Sequence, residues 1–132
     1  MPNMKYKSEE NFNAANLLII NNMYAASIHC SYYSCFQLSK YLLKTLHDID
    51  YAVQESNSSG KDSHYYVNNE TSNKIDSVSH IAYIDYNKFI AMLKKLRRKA
   101  DYSAGVISEE EAKKAYQCAN EIKTILNNKF TT

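Results

Sequence analysis

The sequence has only two glycines and one proline in 132 residues, and the proline is Pro2. Tight β-turns draw on glycine and Asn-Gly pairs, so this scarcity argues against an all-β fold. It suits long helices joined by polar loops. Tryptophan is absent, and arginine is limited to Arg97 and Arg98. The longest aliphatic run is Leu17-Leu18-Ile19-Ile20, far short of the ~20 apolar residues of a membrane span. The first eleven residues are polar and do not resemble a signal peptide. A cytosolic chain is the expectation. Its cysteines, Cys30, Cys35 and Cys118, are odd in number and form no C-x-x-C pair. They read as small buried side chains rather than a disulfide framework. His29, His47 and His80 are scattered with no metal-ligand spacing, and Gly60 and Gly105 stand alone, so no glycine loop cradles a phosphate. Neither a metal nor a cofactor is expected.

What is present fits one domain with one core: 132 residues, 45% of them hydrophobic. A first helix is expected from Glu9 to Met23, with Ser8 as N-cap and an apolar stripe of Phe12, Ala15, Ile19 and Met23. A second runs from Tyr24 or Ala25 to His47. Its face is Ile28, Tyr32, Cys35, Leu42 and Leu46, and its first half holds the small residues that permit close helix approach. Residues 48–63 read as an exposed loop, and residues 63–80 as a short helix. A fourth helix spans Tyr86 to Ala100 behind an Asp85 cap. The fifth starts at Ser108-Glu109-Glu110-Glu111, a capping-box pattern, and ends near Asn127 or Asn128. The fold class is therefore all-α, a single-domain antiparallel bundle of four to five helices.

A net charge of +2 excludes a general nucleic-acid binder and leaves only a local patch. That patch is Lys94-Lys95-Leu96-Arg97-Arg98-Lys99. Lys94, Lys95, Arg97, Arg98 and Lys99 are the candidate contacts for RNA or nucleotide. A solvated helix face with no ligand, or an acidic protein partner, explains the same run. Metal-free RNA cleavage needs a base, an acid and a cation at the phosphorus. Arg98, His64 and Tyr102 are the candidates for those tasks, provided that the loop before His64 folds back. Tyr32 and Tyr33 point about 100° apart on a helix, so one ring enters the core and its neighbour does not readily follow. The pair is the candidate for an interface or a base-stacking surface.

Three stretches share an order and spacing. They are Ala26-Ser27-Ile28-His29-Cys30-Ser31-Tyr32-Tyr33-Ser34-Cys35-Phe36, Lys61-Asp62-Ser63-His64, and Leu96-Arg97-Arg98-Lys99-Ala100-Asp101-Tyr102. With Ser108-Glu109-Glu110-Glu111-Ala112 after them, the chain resembles a small prokaryotic HEPN-domain protein of the kind typified by the uncharacterised family UPF0332. The resemblance implies a helical bundle, often a homodimer, in toxin–antitoxin or phage-defence systems and frequently beside a nucleotidyltransferase. Active relatives are metal-independent RNases with an Arg-x4–6-His motif. Here no histidine follows Arg97 or Arg98. The first expectation is thus an accessory or toxin-type protein that binds RNA, nucleotide or a partner protein. A metal-independent endoribonuclease toxin and a purely structural interaction module are the alternatives.

Overall fold

The computed structural model describes residues 3–57 and 63–130. Among them every regular element is a helix, and there are six rather than four to five: α1 (Met4–Ile20), α2 (Tyr24–His47), α3 (Tyr51–Asn57), α4 (Ser63–Asp76), α5 (His80–Tyr102) and α6 (Glu109–Lys129). The sixth is α3, a short helix inside the stretch expected to be an exposed loop. Gln54 explains it: the side chain is buried and its amide donates to the carbonyls of Lys40 and Ile49 at 3.2 and 2.9 Å. The remainder of that loop, residues 58–62, lies outside the described residues.

α1 begins five residues earlier than expected. Asn3, not Ser8, is its cap and accepts from the Tyr6 amide at 2.9 Å. Ser8 is buried inside the helix and donates to the Ser34 carbonyl at 2.5 Å. Ser27 donates likewise to the Ala15 carbonyl at 2.7 Å. These two bonds hold α1 antiparallel to α2, where serines leave room for close approach. α1 ends at Ile20 rather than Met23 because Asn22 takes a left-handed φ of 61°. Asp48 does the same after α2, with φ 57°. Asn and Asp tolerate this region better than other side chains, and here they turn the chain where another sequence would use glycine.

α2 occupies the residues expected of it and is the centre of the bundle, packing on α1, α4, α5 and α6. Ile28, Tyr32 and Leu43 on α2 meet Ile75 of α4, Leu93 of α5 and Ile122 and Leu126 of α6 in the fully buried core. α5 starts at Ser79, whose hydroxyl accepts from the Ala82 amide at 3.2 Å, and not at Asp85. Its first turns carry Ile81 and Ile84 outward, 76% and 54% exposed, so the large aliphatic residues there do not mark the buried side, which is Ala82 and Tyr86.

The capping box at α6 is present as expected. The Glu111 amide donates to Ser108 Oγ at 3.1 Å, and the Ser108 amide donates to Glu111 Oε1 at 3.0 Å. Lys99, and next the Ser108 amide, hold the Glu111 carboxyl below its usual range. Ser108→Ala is expected to lower the unfolding free energy by about 1 kcal/mol in urea denaturation. Among the described residues no helix is long and apolar enough to cross a membrane.

Candidate functional site

α2 carries His29, Tyr33, Phe36 and Lys40 at intervals of three or four on one side, with Phe36 itself buried between its more exposed neighbours. Tyr32 lies beside them but turns inward and is fully buried. α4 brings His64 to this stripe. Its ring stacks on Phe36 with centroids 4.1 Å apart and meets Tyr33 edge-on at 5.5 Å. His64 Nδ1 is hydrogen-bonded to the Tyr32 hydroxyl at 2.8 Å, and the Asn68 amide donates to that hydroxyl at 3.3 Å. A buried phenol needs such partners, because an unpaired one costs about 1–3 kcal/mol.

α5 supplies the cation. The Arg97 guanidinium lies 4.8 Å from the Tyr32 ring centre and 5.7 Å from that of Tyr33. Its Nε sits 3.3 Å from Asp101 one turn along the helix, and Asp101 in turn lies 3.3 Å from His29 Nδ1. The His29 ring packs against Tyr33 at 4.5 Å. One carboxylate thus joins an arginine and a histidine that are far apart in sequence. Arg97 is held in a fixed orientation, with its side chain only 15% exposed.

The residues proposed from sequence divide accordingly. His64, Tyr32, Tyr33 and Arg97 come together. Arg98, the expected phosphate ligand, is exposed on another side of α5, since adjacent helical residues diverge by about 100°. Tyr102 is 77% exposed. Lys95 is exposed, and Lys99 is drawn away to Glu111 at 2.6 Å. Lys94 lines a shallow, amide-rich cavity between α4 and α5 with Asn68, Asn69, Ser72, Asn87 and Tyr83. So the basic run does not all turn to the tyrosines: Arg97 does, while Lys95, Arg98 and Lys99 are exposed. Tyr32 is too deeply buried to form an interface or stack on a ligand; Tyr33 is half-buried and remains accessible. Its amphipathic position left the choice between the two open, and burial decides it.

His29, Asp101, Phe36 and Asn68 are the members missed. His29 and Asp101 are 72 positions apart, beyond any local motif. The available signal was the spacing of His29, Tyr33 and Phe36 along one helix side.

Chemically, the cluster offers a planar cation beside two imidazoles and an accessible phenol ring. A guanidinium binds phosphate oxygens in a bidentate way, and imidazoles exchange protons near neutral pH. Among the described residues no group of three or more His, Cys, Asp or Glu side chains lies together as a metal site. Neither a curated protein nor a solved structure matches the chain. The family model for the HEPN domain matches residues 1–129.

Proposed function

Because the chain belongs to the HEPN domain family, we propose that it is an RNA-directed, toxin-type or accessory protein of a prokaryotic toxin–antitoxin or phage-defence system. In this reading it works in the cytoplasm and holds a phosphodiester between Arg97, Tyr33 and His64. The observation that carries it is the meeting of Arg97 and His64 at one pair of tyrosines. Both groups lie within 6 Å of both the Tyr32 and Tyr33 rings. An arginine and a histidine absent as a local motif are assembled through space.

A second reading, a metal-independent endoribonuclease, draws support from the two histidines flanking the arginine. Arg97 would stabilise the charge on phosphorus. His64 or His29 would move protons between the 2′-hydroxyl and the leaving oxygen. A homodimer and a nucleotidyltransferase partner remain proposals from the resemblance.

The test is incubation of labelled single-stranded RNA with the protein in excess EDTA. Under the nuclease reading, cleavage persists in EDTA and falls at least a hundredfold in His64→Ala. Under the binding reading, no cleavage occurs, and a gel shift is lost in Arg97→Ala. Binding and cleavage both unchanged by Arg97→Ala would refute the site.

A further inference from the structure

The chain of contacts does not stop at His64. Phe36, on which His64 stacks, carries the Lys40 ammonium 5.6 Å from its ring centre. Lys40 also lies 5.6 Å from the Tyr51 ring of α3, and Lys44 lies 4.8 Å from the same ring. Two ammonium groups therefore face one phenol. Lys5 of α1 adds a third near Tyr41, at 5.9 Å. Burial, and next the neighbouring Tyr41, raise the phenol pKa of Tyr51.

Carboxylates neutralise some cations of the surface but not these lysines. Arg97 has Asp101, Lys99 has Glu111 and Lys113 has Glu109. Among the described residues no ion pair joins Lys40, Lys44 or Lys5 to an acid, although Asp48 and Asp50 are close in sequence. A cation held over an aromatic face keeps its full charge available to an incoming anion. Position on the helix matters as much. His29, Tyr33, Phe36, Lys40 and Lys44 succeed one another at intervals of three or four. From His29 to Lys44 the stripe is about 22 Å long at ~1.5 Å per residue.

We infer that this stripe is a binding track for a single RNA strand, in which the Arg97 cluster takes one phosphate while Lys40 and Lys44, clamped on Tyr51, take phosphates further along. At the ~3.4 Å spacing of stacked nucleotides, the track spans roughly six of them. The half-buried rings of Tyr33 and Tyr51 offer stacking surfaces that tolerate any base. The inference rests on the reading of the Arg97 cluster as an RNA site and extends it to residues outside that cluster.

The experiment is a fluorescence-anisotropy titration of the full chain with 2′-O-methyl oligouridine, which cannot be cleaved at the 2′ position. A twelve-nucleotide and a three-nucleotide probe are used, at about 50 and 200 mM salt. Lys40→Gln/Lys44→Gln is compared with Lys114→Gln/Lys129→Gln, a charge-matched pair on α6. The track predicts that Lys40→Gln/Lys44→Gln weakens binding of the long probe about tenfold. It also predicts a loss of about 1.4 from the salt slope, two contacts at ~0.7 each. The control pair changes little, and the short probe does not sense Lys40 or Lys44. Equal behaviour of the two variants with the long probe overturns the track while leaving the Arg97 site standing. Lys40/Lys44-dependent binding that ignores Arg97→Ala removes the Arg97 site and overturns the track that rests on it. No binding of the long probe by the unaltered protein removes both. A twelve-base-pair duplex bound as tightly, with the same lysine dependence, overturns the single-strand assignment.

Discussion

Arg97→Ala is expected to lower affinity for single-stranded RNA at least tenfold at about 100 mM salt, and Arg98→Ala less than threefold. The two arginines are adjacent and equally charged, so composition gives no reason to separate them. Geometry does. Arg97 is fixed over Tyr32 and Tyr33 and paired with Asp101, whereas Arg98 is exposed. A phosphate that meets Arg97 finds a guanidinium already oriented, so little rotamer entropy is lost on binding. One that meets Arg98 must order a free side chain and gains only a screened charge. Arg97→Lys separates charge from shape. It keeps the cation but loses the planar fork and the stacking, so it is expected to recover less than half of the lost binding free energy. Arg97→Ala also leaves Asp101 without its cation and the tyrosine faces uncovered. A stability loss of about 2 kcal/mol should accompany it in urea denaturation. A larger binding defect in Arg98→Ala than in Arg97→Ala would show that the basic face of α5, and not the cluster, holds the ligand.

The second large effect is on stability. Tyr32→Ala should cost about 4 kcal/mol, the usual scale for removing a fully buried aromatic side chain. Domains of this size are stable by about 5–15 kcal/mol, so the loss takes between a quarter and most of the stability. Tyr32 has no exposed surface and touches three elements: Phe36 on its own helix, His64 and Asn68 on α4, and Arg97 on α5. Removing it opens a cavity at the junction of the core and the site. Tyr32→Phe keeps the ring and deletes only the hydroxyl. Its expected cost is about 1–2 kcal/mol, because His64 Nδ1 and the Asn68 amide each lose a partner. Urea unfolding of the two variants distinguishes packing from hydrogen bonding. Equal losses would mean that the hydroxyl, not the ring, accounts for the contribution of Tyr32.

Much of this was legible in the sequence, and what was missed has physical causes. α2 was readable because its apolar residues repeat at helical spacing over 24 residues. The start of α6 was readable because Ser108 and Glu111 satisfy each other locally. α3 was not, since its place depends on one glutamine reaching carbonyls of another helix and its exit. The beginning of α5 was obscured by isoleucines that face outward. In the site, charge density drew attention to the basic run as a whole, but a helix distributes six consecutive residues around its circumference. Only Arg97 of that run turns to the tyrosines. The spacing of His29 placed it beside Tyr33, but its ion pair was not legible, since Asp101 reaches it only once α2 and α5 are packed. Local order reveals elements, while the chemistry lies where distant elements touch.

The double duty of α2 has a consequence for motion. One side of this helix is the core and the adjoining side forms the stripe, so the stripe cannot loosen without disturbing packing shared with four other helices. Proteins open locally in units whose cost rises with the packing they break. Slow breathing of the backbone under the stripe is therefore tied to opening of the whole domain. α3, held by Gln54 and by a contact from Asn57 to Tyr66, has few such ties and belongs to the easily opened end of the scale. The rigid stripe, from His29 to Lys44, thus faces a short helix that can part and reclose around Tyr51.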